Sequence, residues 1–166
     1  MQVDVTNATR ADVELIAALL DTYLRELSSH SEVPVGATDA ASYPYLDAYW
    51  AEPGRHAFLI RVQGRVVGFA LIRTPTSTGS GAYELAEFYI RPESRRLGIG
   101  RSAAQRIWQL FPGFWEVQVH ARNRGAIQFW STCARHAACD ATIAYQEFQA
   151  PDGRRLQLNF AVRHAA

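Results

Sequence analysis

The sequence predicts an α+β fold: a mixed, mainly antiparallel sheet flanked by helices, in one domain over residues 1–166. Apolar residues recur at helical spacing after Asp12, after Gly98 and after Asn123. Between those stretches lie short apolar or alternating runs bounded by Gly, Pro, Asn and Asp, the pattern of strands and turns. Three such runs follow one another before Gly98 with no helix between them, so they are expected to pair antiparallel. The next run returns only after the Gly98 helix, and that crossover demands one parallel pair.

Gln2–Val5 reads as a short first strand. Thr9 and Asp12 have the spacing of a capping box, and Val13, Ile16, Ala17, Leu20, Leu24 and Leu27 then form an apolar stripe. Ser28–Thr38, with Pro34 and Gly36, reads as a loop. Asp39–Ala51 reads as a second helix, broken or started near Pro44, and its Tyr43, Tyr45, Tyr49 and Trp50 are candidates for packing or for a substrate pocket. His56–Val62 and Val66–Arg73 form a hairpin around Gln63-Gly64-Arg65. Thr74–Gly81 connects to a strand over Tyr83–Ile90. Ile99, Ala103, Ile107 and Leu110 mark the inner face of the following helix, which Pro112-Gly113 ends. Trp115–His120 alternates as a strand. Asn123 caps a last helix with Ala126, Phe129, Trp130, Cys133 and Ala134 inward. Thr142–Phe148 and Leu156–Val162 close the chain as a hairpin around Pro151-Asp152-Gly153.

Composition narrows the function. With 48% hydrophobic and 20% charged residues the 166-residue chain is an ordinary globular domain. A net charge of +1 argues against a general nucleic-acid binder. No apolar run approaches the roughly 20 residues of a membrane span, and the N-terminus lacks a signal-peptide pattern. All 17 basic residues are Arg, which excludes a lysine nucleophile. Cys133 and Cys139 lack zinc-ligand spacing, so no metal is expected, and two cysteines fit a reducing cytoplasm.

The stretch that carries chemistry is Arg95-Arg96-Leu97-Gly98-Ile99-Gly100-Arg101, between a strand and a helix. Glycines admit close approach to the backbone, and a helix start presents unpaired N–H groups at the positive end of its dipole. With three arginines alongside, this is a site for a phosphate or pyrophosphate. A Walker loop is excluded because it ends in Gly-Lys-Ser/Thr. Gly98 to Ala103 also fits the dinucleotide pattern G-x-G-x-x-A. Three antiparallel strands precede it, however, and Gln118–His120 stands where the ribose-binding acid belongs.

The turn fits R/Q-x-x-G-x-G/A after a strand, and Asn123-x-x-Ala126-x-x-Phe129-Trp130 follows at the start of the next helix. In these two elements and in the order of its strands and helices, nearly the whole chain resembles the GNAT superfamily of N-acetyltransferases. Glu87-Phe88-Tyr89-Ile90, Trp115-Glu116-Val117 and Phe129-Trp130 are most similar to a bacterial group of predicted acetyltransferases without an assigned substrate.

The resemblance implies a GNAT-like sheet whose parallel fourth and fifth strands splay apart. It implies acetyl-CoA as co-substrate, its pyrophosphate on the amides of Arg96 to Arg101. Phe88, Tyr89 and Ile90 would offer backbone groups to the pantetheine arm and thioester, and Asn123 would bond the arm from the far side. Acetyl transfer to an amine needs a base, because amines near pKa 10 are protonated at neutral pH. Glu87 and Glu84 are the candidates, with Glu87 nearer the thioester; strict strand alternation sets them on opposite faces, and the resemblance implies that a bulge at the splay could change that. Trp130 occupies the place of the family's usual acid tyrosine and cannot donate a proton near neutrality. It is expected to wall the channel, leaving Tyr89, Tyr145 or water as acid. His120 is not placed among the catalytic residues, and Cys133 is expected to pack. The expected activity is acetyl transfer to a small-molecule or peptide amine by direct attack in a ternary complex. The alternative is a non-catalytic acyl-CoA-binding module. An edge strand near the C-terminus offers a homodimer surface.

Overall fold

Seven strands form one sheet in the computed structural model, which describes residues 2–30, 39–77 and 79–163. They are β1 (Val3–Asn7), β2 (Arg55–Val62), β3 (Arg65–Arg73), β4 (Tyr83–Ile90), β5 (Gly113–His120), β6 (Ala144–Ala150) and β7 (Gly153–Val162). Their order in space is β1-β2-β3-β4-β5-β7-β6, antiparallel at every step except the parallel β4–β5 pair. The helices are α1 (Val13–Ser28), α2 (Ala48–Ala51), α3 (Ile99–Leu110) and α4 (Arg124–Ala137).

Alternation along the strands divides the core into two layers. On one face Ile16, Leu19, Leu20 and Leu24 of α1 and Tyr49 of α2 pack on Ala57, Leu59, Phe69, Leu71 and Tyr89. On the other, α3 and α4 bring Ile107, Trp108, Trp130, Cys133 and Ala134 against Phe58, Ala70, Ile72, Leu85, Trp115 and Val117. Trp108 and Trp115 are enclosed completely, their rings edge to face 6.4 Å apart. The capping box forms as expected: the Asp12 carboxylate accepts from the Thr9 N–H at 2.8 Å.

The second helix is shorter than the sequence suggests. Only Ala48–Ala51 is helical, and the chain before it runs in turns. Pro44 has no N–H to donate, and Asp39 captures both the N–H and hydroxyl of Ser42 at 2.8 Å, diverting the backbone from a helical ladder. Residues 31–38 of the expected loop lie outside the described residues.

Two irregularities of β4 create the site. Leu71 of β3 pairs with Glu87, but the next residue, Ile72, pairs with Leu85. Ala86 is therefore an extra residue, a β-bulge. Strict alternation is broken here, as a bulge at the splay allows: Glu87 returns to the face already occupied by Glu84. Second, the parallel pairing of β4 with β5 covers only Tyr83–Leu85 against Trp115–Val117. Beyond those residues the strands part.

Candidate functional site

A cleft of about 950 Å³ opens where β4 and β5 part. Its walls come from α1, β4, the turn before α3, the end of β5 and α4. A smaller cavity of about 40 Å³ lies in the splay itself, lined by Tyr23, Leu85, Ala86, Phe88, Val117, Gln118 and Trp130.

At one end is the arginine- and glycine-rich turn. Arg96 and Gly98 both adopt positive φ, 62° and 77°. The first bond of α3 runs from the Ser102 N–H to the Gly98 carbonyl at 3.0 Å, so the helical N–H groups before Ser102 have no acceptor within the helix. A Cβ on Gly98 would meet nothing within 4 Å, leaving open space above the backbone. Gly100 serves packing instead: a Cβ there would come within 3.2 Å of the Phe129 ring. Arg96 and Arg101 line this mouth. Arg95 lines it too, but its guanidinium is committed. It holds both oxygens of Glu26 at 2.7 Å, donates to the Ile90 carbonyl at 2.7 Å and stacks on Tyr89. That fork ties the turn to α1.

Along the cleft Phe88 and Trp130 meet edge to face at 5.0 Å. The Trp130 ring is packed between Phe88, Trp108 and Phe129, forming a wall. The Asn123 side-chain oxygen accepts from the Ala126 N–H at 3.0 Å, capping α4, while the residue also lines the cleft. Cys133 is buried and free, and burial pushes its thiol up, which opposes nucleophilic use.

The two glutamates share a face but not a setting. Glu84 is buried and held by the forked guanidinium of Arg73, two bonds of 3.1 Å. The Ser77 N–H and hydroxyl also donate to it. Glu87 lacks such a cation. It accepts from Tyr43 at 3.1 Å, shares the cleft wall with Tyr23, and keeps part of its surface in the cleft. Burial raises its pKa to about 7, against the opposing pull of the two phenols and of Arg155, with the charge of Glu84 adding to the rise. A carboxyl poised there exchanges protons at neutral pH.

Sequence reasoning did not tie three of these groups to Glu87. Tyr23 sits at the rim of the α1 stripe, four residues before Leu27, and reads as packing. Tyr43 belongs to an aromatic cluster whose other members prove structural: Trp50 donates to the Ala8 carbonyl, Tyr49 is buried, and Tyr45 lies under Arg55. Arg155 comes from β7, next to β5 in space but far along the chain. It grips Asp152 with bonds of 3.2 and 2.7 Å, and Asp152 also lies 3.1 Å from His120. His120 is thus anchored to the β6–β7 turn.

A sequence model described as Acetyltransferase (GNAT) family matches residues 16–134. Among solved structures, an acetyltransferase from Thermus thermophilus superposes with a TM-score of 0.69 at 15% identity, covering 98% of each chain. Spermidine N-acetyltransferase from Vibrio cholerae, in complex with CoA and spermine, gives 0.69 at 14% identity over 97% of this chain and 96% of its own. The ribosomal-protein-S18-alanine N-acetyltransferase from Escherichia coli gives 0.60 at 15% identity over 99% and 97%. No curated protein matches the sequence.

Proposed function

The chain belongs to the GNAT acetyltransferase family, and from that premise we propose that it transfers an acetyl group from acetyl-CoA to an amine by direct attack in a ternary complex. The observation that carries this reading is Glu87: a carboxyl with a pKa of about 7 in the splay, one end of whose cleft is an anion cradle.

The residues present fit the co-substrate. The open backbone at Gly98, the N–H groups of the α3 start and the side chains of Arg96 and Arg101 suit a pyrophosphate. Backbone groups from Arg96 through Leu97, Gly98, Ile99 and Gly100 to Arg101 would hold it. Arg95, clamped by Glu26, would brace the turn. The edge of β4 at Phe88, Tyr89 and Ile90 would pair with the pantetheine arm, an N–H of Phe88 or Tyr89 would polarise the thioester carbonyl, and Asn123 would face the arm across the cleft. Trp130 would close the channel wall.

Acetyl-CoA supplies the activated acyl group; this chain's residues orient it and handle the proton. Glu87 takes the proton of the attacking amine, and the Tyr43 phenol fixes its position. Glu84 is assigned no such task, because Arg73 and Ser77 satisfy its carboxylate. The acceptor is a small-molecule or peptide amine; related folds include enzymes named for spermidine and for a ribosomal-protein alanine. No helix of the described residues is long and apolar enough to cross a membrane, and we place the enzyme in the cytoplasm.

The test has two parts. Acetyl-CoA should raise the melting temperature, since a ligand of the folded state stabilises it by mass action. A panel of polyamines, amino acids and peptides should then release free thiol with at least one member. Binding without turnover across the panel would favour the acyl-CoA-binding module, which Trp130 at the acid position makes the reading to beat. No stabilisation by acetyl-CoA would overturn both.

A further inference from the structure

A carboxylate that accepts the amine's proton leaves the departing thiolate without a donor, and Trp130 cannot supply one. Among the described tyrosines, only Tyr23 lines both the large cleft and the cavity in the splay. There it shares the walls with Ala86, Phe88, Gln118 and Trp130, and in the large cleft it stands beside Glu87. Tyr43 bonds the same carboxylate but lines neither space. Tyr89 packs against Phe69 and Tyr23 beneath Arg95 and does not reach the splay cavity. Tyr145, on β6, is 47% exposed and lines neither cavity.

We propose that Tyr23 is the general acid of the reaction, giving its phenolic proton to the CoA sulfur and recovering one from the neighbouring Glu87 carboxyl. The proposal rests on the acetyl-transfer reading and extends it by one residue. The balance closes. The amine nitrogen forms its bond to the acetyl carbon and loses a proton to Glu87; the carbon–sulfur bond breaks. The Tyr23 proton goes to the sulfur, and the Glu87 proton moves to the Tyr23 oxygen. Both side chains end as they began, with the acetamide and the free thiol as products.

The timing has a physical basis. Burial first, and then the Glu87 carboxylate, push the Tyr23 phenol far above its ordinary range, so it keeps its proton at rest. Once Glu87 has accepted the amine's proton, the carboxylate's share of that push is gone. The phenol becomes more acidic at the step that uses it. Helix α1 thus contributes the acid that α4 lacks.

The experiment compares Tyr23→Phe, Tyr43→Phe and Glu87→Gln with the wild type, using acetyl-CoA and the best amine of the panel. Tyr23→Phe is expected to lower kcat on the order of 10²-fold, with an unchanged thermal shift by acetyl-CoA. Its proton inventory in mixed H₂O/D₂O should reduce from a curve to a line as one transferred proton is lost. Tyr43→Phe, which only loosens the placement of Glu87, should lower kcat by less than Tyr23→Phe does and keep the curved inventory. Fluorotyrosine at position 23, which preserves shape and acidifies the phenol, should bring an alkaline limb of the kcat profile into measurable range. The same replacement at 43 should not. A Tyr23→Phe protein with wild-type kcat and inventory would overturn the proposal, as would Tyr43→Phe matching its loss in both. Glu87→Gln separates the two assignments. If it loses the rate while Tyr23→Phe keeps it, the base stands and the acid falls. If it keeps the rate while Tyr23→Phe loses it, the base falls and the proton circuit with it, leaving Tyr23 as an acid recharged from solvent.

Discussion

Strand β4 carries two carboxylates on one face, three residues apart, and gives them opposite settings. Before the Ala86 bulge, Glu84 meets a forked guanidinium and two donors from Ser77. After it, Glu87 meets phenols and the open splay. Burial alone does not decide the outcome, because Glu84 is only 4% exposed. What decides it is the partner. A guanidinium fork and two Ser77 donors at bonding distance satisfy the Glu84 carboxylate and fix it as structure. A phenol orients a carboxylate without neutralising it, so desolvation is free to lift its pKa toward neutrality. The bulge makes this contrast possible, since it puts both groups on the same face of the sheet.

The sharpest way to break the comparison is Glu87→Gln. As the base, Glu87 should account for roughly 10²–10⁴-fold of kcat/KM, while the acetyl-CoA thermal shift stays as in the wild type. The wild-type kcat/KM should rise with pH through about 7, where Glu87 loses its proton, and the inflection should vanish in the variant. Stability should move the other way. The folded-state pKa lies above the ordinary glutamate value of 4.5, so ionisation costs stability as pH rises between those two values. Gln mimics the neutral acid; its melting temperature should exceed the wild type's at pH 8 and match it at pH 4. Equal melting temperatures at pH 8 would mean that Glu87 is better solvated than its surroundings indicate.

Arg73→Ala addresses the other end of the strand. It strands a buried carboxylate, which should cost about 3 kcal/mol of folding stability in denaturant titration. Turnover measured below the new melting point should stay close to wild type. A loss of kcat as large as that of Glu87→Gln would mean that the two ends of β4 act together.

Much of this was legible in the sequence, and the reason lies in range. The turn at Arg95–Arg101 announces itself because glycine, arginine and a helix start are adjacent in the chain; so does the Asn123 cap. The fold followed from periodicity and connection lengths, including the crossover that makes β4 and β5 parallel. The setting of Glu87 was not legible. It depends on a single inserted residue in a strand pairing, which the family resemblance allows for but which no pattern in the residues locates at Ala86. It depends also on Tyr23, Tyr43 and Arg155, drawn from α1, the stretch before α2, and β7. The short second helix was missed for a related reason: competing side-chain bonds from Asp39 outweigh helical spacing over so few residues.

The glycine turn gives a smaller effect. Gly98→Ala finds empty space for its methyl but must hold φ near 77°, so its cost is backbone strain of about 1–2 kcal/mol. Acetyl-CoA affinity by calorimetry should fall in parallel, whereas the melting-temperature difference between pH 4 and pH 8 that Glu87 imposes should persist. Unchanged affinity would remove the Gly98 backbone from the cradle.

Asn123 separates structure from ligand contact within one side chain, and its effect is the smallest. Its oxygen caps α4 through Ala126, so Asn123→Ala should cost about 1 kcal/mol of stability. Serine caps helices nearly as well as asparagine but has no amide group to extend toward a ligand. Asn123→Ser should therefore keep the wild-type melting temperature while weakening acetyl-CoA binding. If serine preserves both, the cap is the whole of the residue's contribution. The far wall of the cleft would then hold the arm through the rings of Phe129 and Trp130, and the polar hold on the co-substrate would rest on β4 and the α3 turn.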